Sequence, residues 1–150
     1  MNKKTIVIEG NNFKDFNGFY DEIGLKFNCK GWLGKNLVAF DELLYLHTGP
    51  VVVKWMSSNK SKNDLGYAET IEYYKNNLVK VHRNNKKAAV EKLELAKNNE
   101  GKTLFEEVMS VFKNHPNIEL LLEWIKHANI KLLSEWINNG AGKRGNRKIY

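Results

Sequence analysis

Three short apolar segments, far apart along the chain, predict the strands of a sheet. They are residues 5–8, 51–53 and 118–122, and each is rich in β-branched residues or leucine with little polar alternation. Continuous apolar runs of this length are typical of strands buried on both faces, which is the pattern of a parallel sheet. Parallel strands need crossover connections, and the segments between these three are long enough to contain helices.

Apolar residues at helical spacing predict helices in both crossovers. Helices are expected at 15–27 and 37–47 in the first crossover, and at 57–65, 68–81, 86–97 and 103–114 in the second. Thr103 and Glu106 have the spacing of a capping box at the start of the last of these. His115-Pro116 ends it, because the residue before a proline is pushed out of the α region. A final amphipathic helix is expected at 128–138, after the third strand.

The pattern predicts an α/β fold in which a small three-stranded parallel sheet is covered by helices. At 150 residues with 42% hydrophobic content the chain has the size and composition of one domain. We expect that domain to occupy residues 1–140, with a helical insertion at about 67–102. Gly140 and Gly142 open a basic segment, 141–150, that we expect to be a flexible tail.

The positive net charge of the chain suggests nucleic acid as a partner, but the kinds of residues that carry the charge argue against it. The formal net charge is +7 and the sequence pI is about 9.4, values that suggest phosphate contacts. However, the sequence holds 21 Lys against 3 Arg, with 20 Asn, and four of the positive charges lie in the expected tail. Arginine is the usual reader of phosphates and bases, so nucleic acid is not the partner we expect.

The inserted helices leave two alternatives open. Their lysines, flanked by tyrosines, are compatible with a basic strip that has stacking platforms for nucleic acid. They also carry an apolar stripe, which either packs on the domain's own core or forms a homo-oligomer contact. The strip consists of Lys75, Lys80, Arg83, Lys86 and Lys87 beside Tyr73 and Tyr74, and the stripe of Ile71, Tyr74, Leu78 and Val81. The oligomeric state stays undetermined by the sequence.

No residue pattern indicates an enzyme, a cofactor or a metal site. The histidines, His47, His82, His115 and His127, are scattered, and Cys29 has no second cysteine. Phosphate-binding glycine loops and nucleophile motifs do not occur. No apolar run reaches the about 20 residues of a membrane span, and the first apolar stretch is too short for a signal-peptide core. We therefore expect a non-enzymatic, cytoplasmic protein without a membrane segment.

The expected helix at 37–47 has two distinct faces. At 100° per residue, one stripe holds Leu37, Phe40, Leu43, Leu44 and His47 and has the character of a core face. The other stripe holds Val38, Asp41, Glu42 and Tyr45. Two carboxylates between an aliphatic and an aromatic residue, with Trp32 in the loop before them, resemble the centre of a protein interface. The pattern is equally compatible with a purely structural alternative, in which Val38 is an ordinary exposed residue and Trp32 caps the core.

These residues carry a resemblance to the barstar family of ribonuclease inhibitors. The segment from Trp32 through Gly34-Lys-Asn36-Leu37-Val-Ala-Phe40-Asp41 to Leu44, followed by Gly49-Pro50 and a strand ending in Trp55, is similar to the family's loop aromatic, helix and strand. The order of the opening strand, of Ser61-Lys62 and of the helix with Phe112 before residues 118–122 also agrees. The resemblance covers roughly residues 3–66 and 103–123.

The resemblance implies a small parallel sheet with helices and an inhibitor that blocks a ribonuclease made inside the cell, or another toxin. Trp32 matches the family's loop aromatic and Asp41 the central acid of its inhibitory helix. Gly34, Asn36 and Leu37 match the loop-to-helix junction, where structural roles are implied. The chain differs from the family at Val38, which replaces a second acid, at Asn114, in the 67–102 insertion and in its positive net charge.

Overall fold

The computed structural model describes residues 3–29, 35–46, 49–78, 83–123 and 147–149. Its strands are β1 (Lys4–Glu9), β2 (Val51–Met56), β3 (Ile118–Glu123) and β4 (Arg147–Ile149). Its helices are α1 (Phe16–Lys26), α2 (Leu37–Leu46), α3 (Ser58–Asp64), α4 (Tyr67–Leu78), α5 (Arg83–Lys97) and α6 (Leu104–Lys113), with a 3-10 turn at Gly10–Asn12. The expected helix at 128–138 lies outside the described residues.

The sheet has the order β1-β2-β3-β4. β1 pairs with β2 and β2 with β3, both in parallel, so the predicted three-stranded parallel sheet is confirmed. β4 adds an antiparallel edge strand, in which Arg147 lies opposite Glu123. For these three residues the structure therefore differs from the flexible tail that we expected at 141–150. Backbone hydrogen bonding to β3 orders them, and composition alone does not reveal such pairing.

Burial alternates along the strands, so the expectation of strands buried on both faces is wrong for the described part of the chain. Ile8, Val53 and Leu120 point to a fully packed face, whereas Val7 and Lys54 on the opposite face are exposed. Because Lys54 interrupts the apolar run, the sequence pattern also ended β2 three residues before its end at Met56. Parallel pairing was predicted correctly, although the described residues bury one face of the sheet much more completely than the other.

Aromatic rings fill the space between the sheet and the helices. Trp55 of β2 is fully buried, stacks on Phe19 of α1 with 5.2 Å between ring centroids, and lies 6.3 Å from Phe112 of α6. Phe40 of α2 meets both phenylalanines edge-on, at 5.3 and 5.1 Å. The indole Nε1–H of Trp55 donates to the buried Oγ of Ser61 at 3.0 Å, so the core's largest side chain is hydrogen-bonded as well as packed.

One turn of the inserted helix α4 caps the N-termini of three other helices. The Glu69 carboxylate accepts from the Phe16 N–H of α1 at 2.7 Å. The Thr70 hydroxyl accepts from the Leu104 N–H of α6 at 2.7 Å, and the Tyr73 hydroxyl from the Leu37 N–H of α2 at 2.8 Å. Each donor belongs to the first helical residue, which has no partner inside its own helix. Residues 69–73 therefore act as a shared hub for α1, α2 and α6, which we call the capping hub.

The segment 67–102 is thus structurally integrated. Its helices α4 and α5 begin and end close to the predicted positions, and the capping box of Thr103 and Glu106 is present at the start of α6. Burial raises the pKa of Glu69, and the hydrogen bond from Phe16 opposes that shift. The insertion therefore fixes the N-termini of α1, α2 and α6, the helices that contribute side chains to the core.

Candidate functional site

α2 begins at two independent hydrogen bonds. The Asn36 side-chain oxygen accepts from the Ala39 N–H at 2.8 Å, which is the geometry of an N-cap. The Leu37 N–H donates to the Tyr73 hydroxyl of the capping hub. The first turn of α2 is therefore fixed by its own sequence and by the inserted helix.

The inner face of α2 belongs to the core. Phe40, Leu43 and Leu44 are fully buried, and Ala39 nearly so. Leu37 is partly buried against the same cluster. The predicted core stripe is confirmed for these residues, while His47 lies outside the described part of the chain.

The outer face of α2 exposes apolar side chains around an acid. Val38 is 69% exposed, Tyr45 72% and Leu46 61%. Glu42 is exposed beside them, and Asp41 is half-buried near the middle of the helix. We call Val38, Asp41, Glu42, Tyr45 and Leu46 the α2 face. Leu46 was not among the sequence candidates, because its position falls between the two stripes and gives no periodic signal.

Asp41 is held by a histidine from another element. The imidazole Nε2 of His115 lies 2.7 Å from Asp41 Oδ1. The His115 side chain is 5% exposed and the Asp41 side chain 40%, so the pair joins a buried group to a surface carboxylate. The ring of Tyr45 packs edge-on against the imidazole, with 4.9 Å between centroids.

His115 is a second residue of this site, after Leu46, that the sequence did not reveal as a candidate. Its pattern marks it only as the residue that ends α6 before Pro116 and as one of four scattered histidines. The only available signal was its place at a helix-to-strand turn just ahead of a buried strand, and that signal does not specify which side chain the imidazole meets.

Part of the proposed interface lies outside the described residues. Trp32 and Gly34 lie among residues 30–34, which the structure does not describe, so their predicted roles stay predictions. Lys35, the first described residue after them, pairs with Asp21 of α1 across 3.2 Å. The α2 face is therefore built here from the helix and His115 alone.

Cys29 and a cleft beside α5 are two further possible sites, and in both the polar groups have partners within the protein. Cys29 is half-buried, and its thiol donates to the Phe27 carbonyl at 3.4 Å. A surface cleft of about 290 Å³ lies beside α5 and is lined by Lys92, Leu95, Gly101, Lys102 and Glu107. Its lysines already have partners, since Lys92 pairs with Glu107 and Lys102 donates to the Ser110 hydroxyl.

Two general findings concern the described residues only. No group of three or more His, Cys, Asp or Glu side chains among them is arranged to hold a metal ion. None of their helices has the length and apolar character needed to span a bilayer.

Comparison with protein-family models, with curated proteins and with solved structures finds no match to this chain. The resemblance to barstar therefore rests on the order and identity of the residues quoted above. A three-stranded parallel sheet with helices is compatible with it, but many α/β domains share that architecture.

Proposed function

We propose that this protein is a barstar-like inhibitor that binds a ribonuclease, or another toxin protein, through the α2 face. The observation that carries the proposal is the exposure of Val38, Tyr45 and Leu46 around Asp41 on a helix whose other side is core. Large apolar side chains around a central charge are the composition of protein interface centres. A helix whose first turn is fixed by two hydrogen bonds loses little conformational freedom on binding, which favours affinity.

The partner's complementary surface follows from the chemistry of this face. Asp41 offers a carboxylate to a cationic or hydrogen-bonding group, and Tyr45 and Val38 offer apolar area around it. Ribonucleases that bind phosphates with Arg, Lys or His side chains present such cations in their active sites. Binding there blocks access of RNA without any catalysis by the inhibitor, and it protects the cytoplasm of the cell that makes the enzyme.

The alternative, nucleic-acid binding by the inserted helices, gains little from the described residues, and Lys80 of the predicted basic strip lies outside them. Tyr73 and Tyr74 are buried, so they are not free to stack on bases, which corrects that part of the alternative hypothesis. On α5, Glu91 and Glu94 follow Lys86 and Lys87 in the chain, and Glu94 pairs with Lys97. Of the apolar stripe, Tyr74 is buried and Ile71 and Leu78 pack against the core cluster.

A direct inhibition assay tests the proposal. Purified wild-type protein is mixed with secreted bacterial ribonucleases, and cleavage of a fluorogenic RNA is followed, with complex formation measured by calorimetry. We expect one-to-one inhibition of one ribonuclease, with affinity lowered about a hundredfold by Asp41→Ala and by Tyr45→Ala. Glu94→Ala, which removes an exposed acid from α5, is the matched control and should leave inhibition unchanged.

A second arm covers a toxin that is not a ribonuclease. Wild-type, Asp41→Ala and Glu94→Ala proteins serve as baits in host lysate and medium, and captured proteins are identified by mass spectrometry. A toxin retained by wild type and Glu94→Ala but lost by Asp41→Ala supports the proposal. If wild type inhibits no ribonuclease and retains nothing that Asp41→Ala loses, the proposal is wrong.

A further inference from the structure

The imidazole that meets Asp41 comes from a fixed point of the backbone. The N–H of His115 donates to the Phe112 carbonyl at 3.1 Å, and its carbonyl accepts from the Ile118 N–H at 3.0 Å. The residue is therefore anchored to the end of α6 and to the start of β3. A side chain based there has little freedom, whereas Asp41 extends from the outer side of α2.

The contact leaves half of the Asp41 carboxylate available. Since a carboxylate accepts hydrogen bonds and does not donate them, the Nε2–H of His115 donates to Asp41 Oδ1. Within the described ranges no group donates to the other oxygen, Oδ2. Because one oxygen is held, the carboxylate is restrained to one orientation, in which Oδ2 is the atom offered to a partner.

We propose that His115 is the positioning residue of the α2 face, because it holds the Asp41 carboxylate in the orientation in which Oδ2 meets a cationic group of the partner. This inference rests on the proposed function. The imidazole does not itself have to touch the partner. It acts through Asp41, and Tyr45 shields the contact from one side.

The first experiment needs no partner. Scalar couplings that report the χ1 angle of Asp41 are measured by NMR in wild type, His115→Gln and His115→Ala. Glutamine keeps a donor near the Nε2 position and cannot become a cation. We expect one Asp41 rotamer in wild type and in His115→Gln, and averaged couplings in His115→Ala. Couplings that do not change in His115→Ala would overturn the positioning role. Averaged couplings in His115→Gln would overturn the role of the donated hydrogen bond, and this second readout stands if the alanine variant does not fold.

The second experiment measures binding to a purified basic bacterial ribonuclease. We expect His115→Ala to bind about tenfold more weakly than wild type, and His115→Gln to bind about as tightly as wild type. Equal affinities of wild type and His115→Ala overturn the role of His115 in recognition. If wild type binds no ribonuclease, the proposed function fails, while the NMR couplings decide the positioning role separately.

Discussion

The imidazole of His115 and the carboxylate of Asp41 connect residues 74 positions apart in the chain, across 2.7 Å. One partner is buried at the end of α6 and the other lies on the outer side of α2. The contact therefore ties the candidate binding face to the domain's interior as well as orienting the acid. The same hydrogen bond contributes to the stability of the fold and orients the acid of the proposed binding face. Stability and binding must therefore be tested with different variants.

Removing the Asp41 carboxylate should destabilise the fold. In Asp41→Ala the buried Nε2–H of His115 loses its acceptor, and an unsatisfied buried donor costs about 1–3 kcal/mol. Asp41→Asn keeps an oxygen at the same place and should cost less than about 1 kcal/mol. Urea unfolding at neutral pH measures both. Equal losses for the two variants would show that charge, and not the hydrogen bond to His115, stabilises this contact.

The tyrosines of α4 provide a second, matched comparison. Tyr73→Phe removes the acceptor of the Leu37 N–H at the start of α2, and we expect a loss of about 1 kcal/mol. Tyr74→Phe removes a buried hydroxyl that has no hydrogen-bond partner among the described residues, so we expect no loss or a small gain in stability. Denaturant unfolding of both variants checks the difference. A larger loss for Tyr74→Phe would contradict the capping role of Tyr73.

The capping hub predicts a similar effect at α6. Thr70→Val keeps the shape of the side chain but leaves the buried Leu104 N–H without its acceptor. We expect a loss of about 1–3 kcal/mol in the free energy of unfolding. Thr5→Val, on an exposed position of β1, is the isosteric control and should change stability by less than about 0.5 kcal/mol. Similar effects at the two sites would remove the evidence for a hub.

The sequence predicted what depends on short-range periodicity. The helix at α2 separates Phe40 from Val38 and Tyr45 as 100° per residue requires, and the capping box of Thr103 and Glu106 lies within a single turn. β4 was missed because a three-residue charged strand has no pattern of its own. It exists through pairing with β3.

Short-range periodicity could not predict the contacts of the site, because they join residues that are far apart in the chain. Asp41 was a candidate because of its place on a helix, but its partner His115 is brought to it by the packing of α2 against α6. Likewise, no pattern in the sequence singles out the hub residues Glu69 and Thr70. Their roles depend on where three distant helices begin, and a one-dimensional pattern contains no information on that.

Burial of tyrosines predicts loss of stability at alkaline pH. Burial raises the pKa of Tyr20 and of Tyr73 to about 12, above the ordinary value of about 10. The folded state thus favours the neutral phenol. The resulting stabilisation is complete below about pH 10 and is lost as the pH rises towards about 12. Urea midpoints measured across this interval should fall. They should fall less in Tyr20→Phe, and a midpoint independent of pH would contradict the prediction.

Gly10 is the position where the backbone approaches its neighbours most closely. A Cβ built there would lie 2.7 Å from the Ser57 carbonyl oxygen and 2.8 Å from that of Met56. Because both contacts are with backbone, the chain must shift, and we expect Gly10→Ala to cost about 1–3 kcal/mol.

Gly24→Ala is the control. Its Cβ would meet the Cys29 carbonyl oxygen at an ordinary 3.4 Å, inside α1, where alanine is preferred over glycine by up to about 1 kcal/mol. Thermal unfolding should therefore show a lower Tm for Gly10→Ala and an equal or higher Tm for Gly24→Ala. The same Tm in both variants would mean that β1 and the turn after it yield to the added methyl group, and that this junction is not as tightly packed as the distances require.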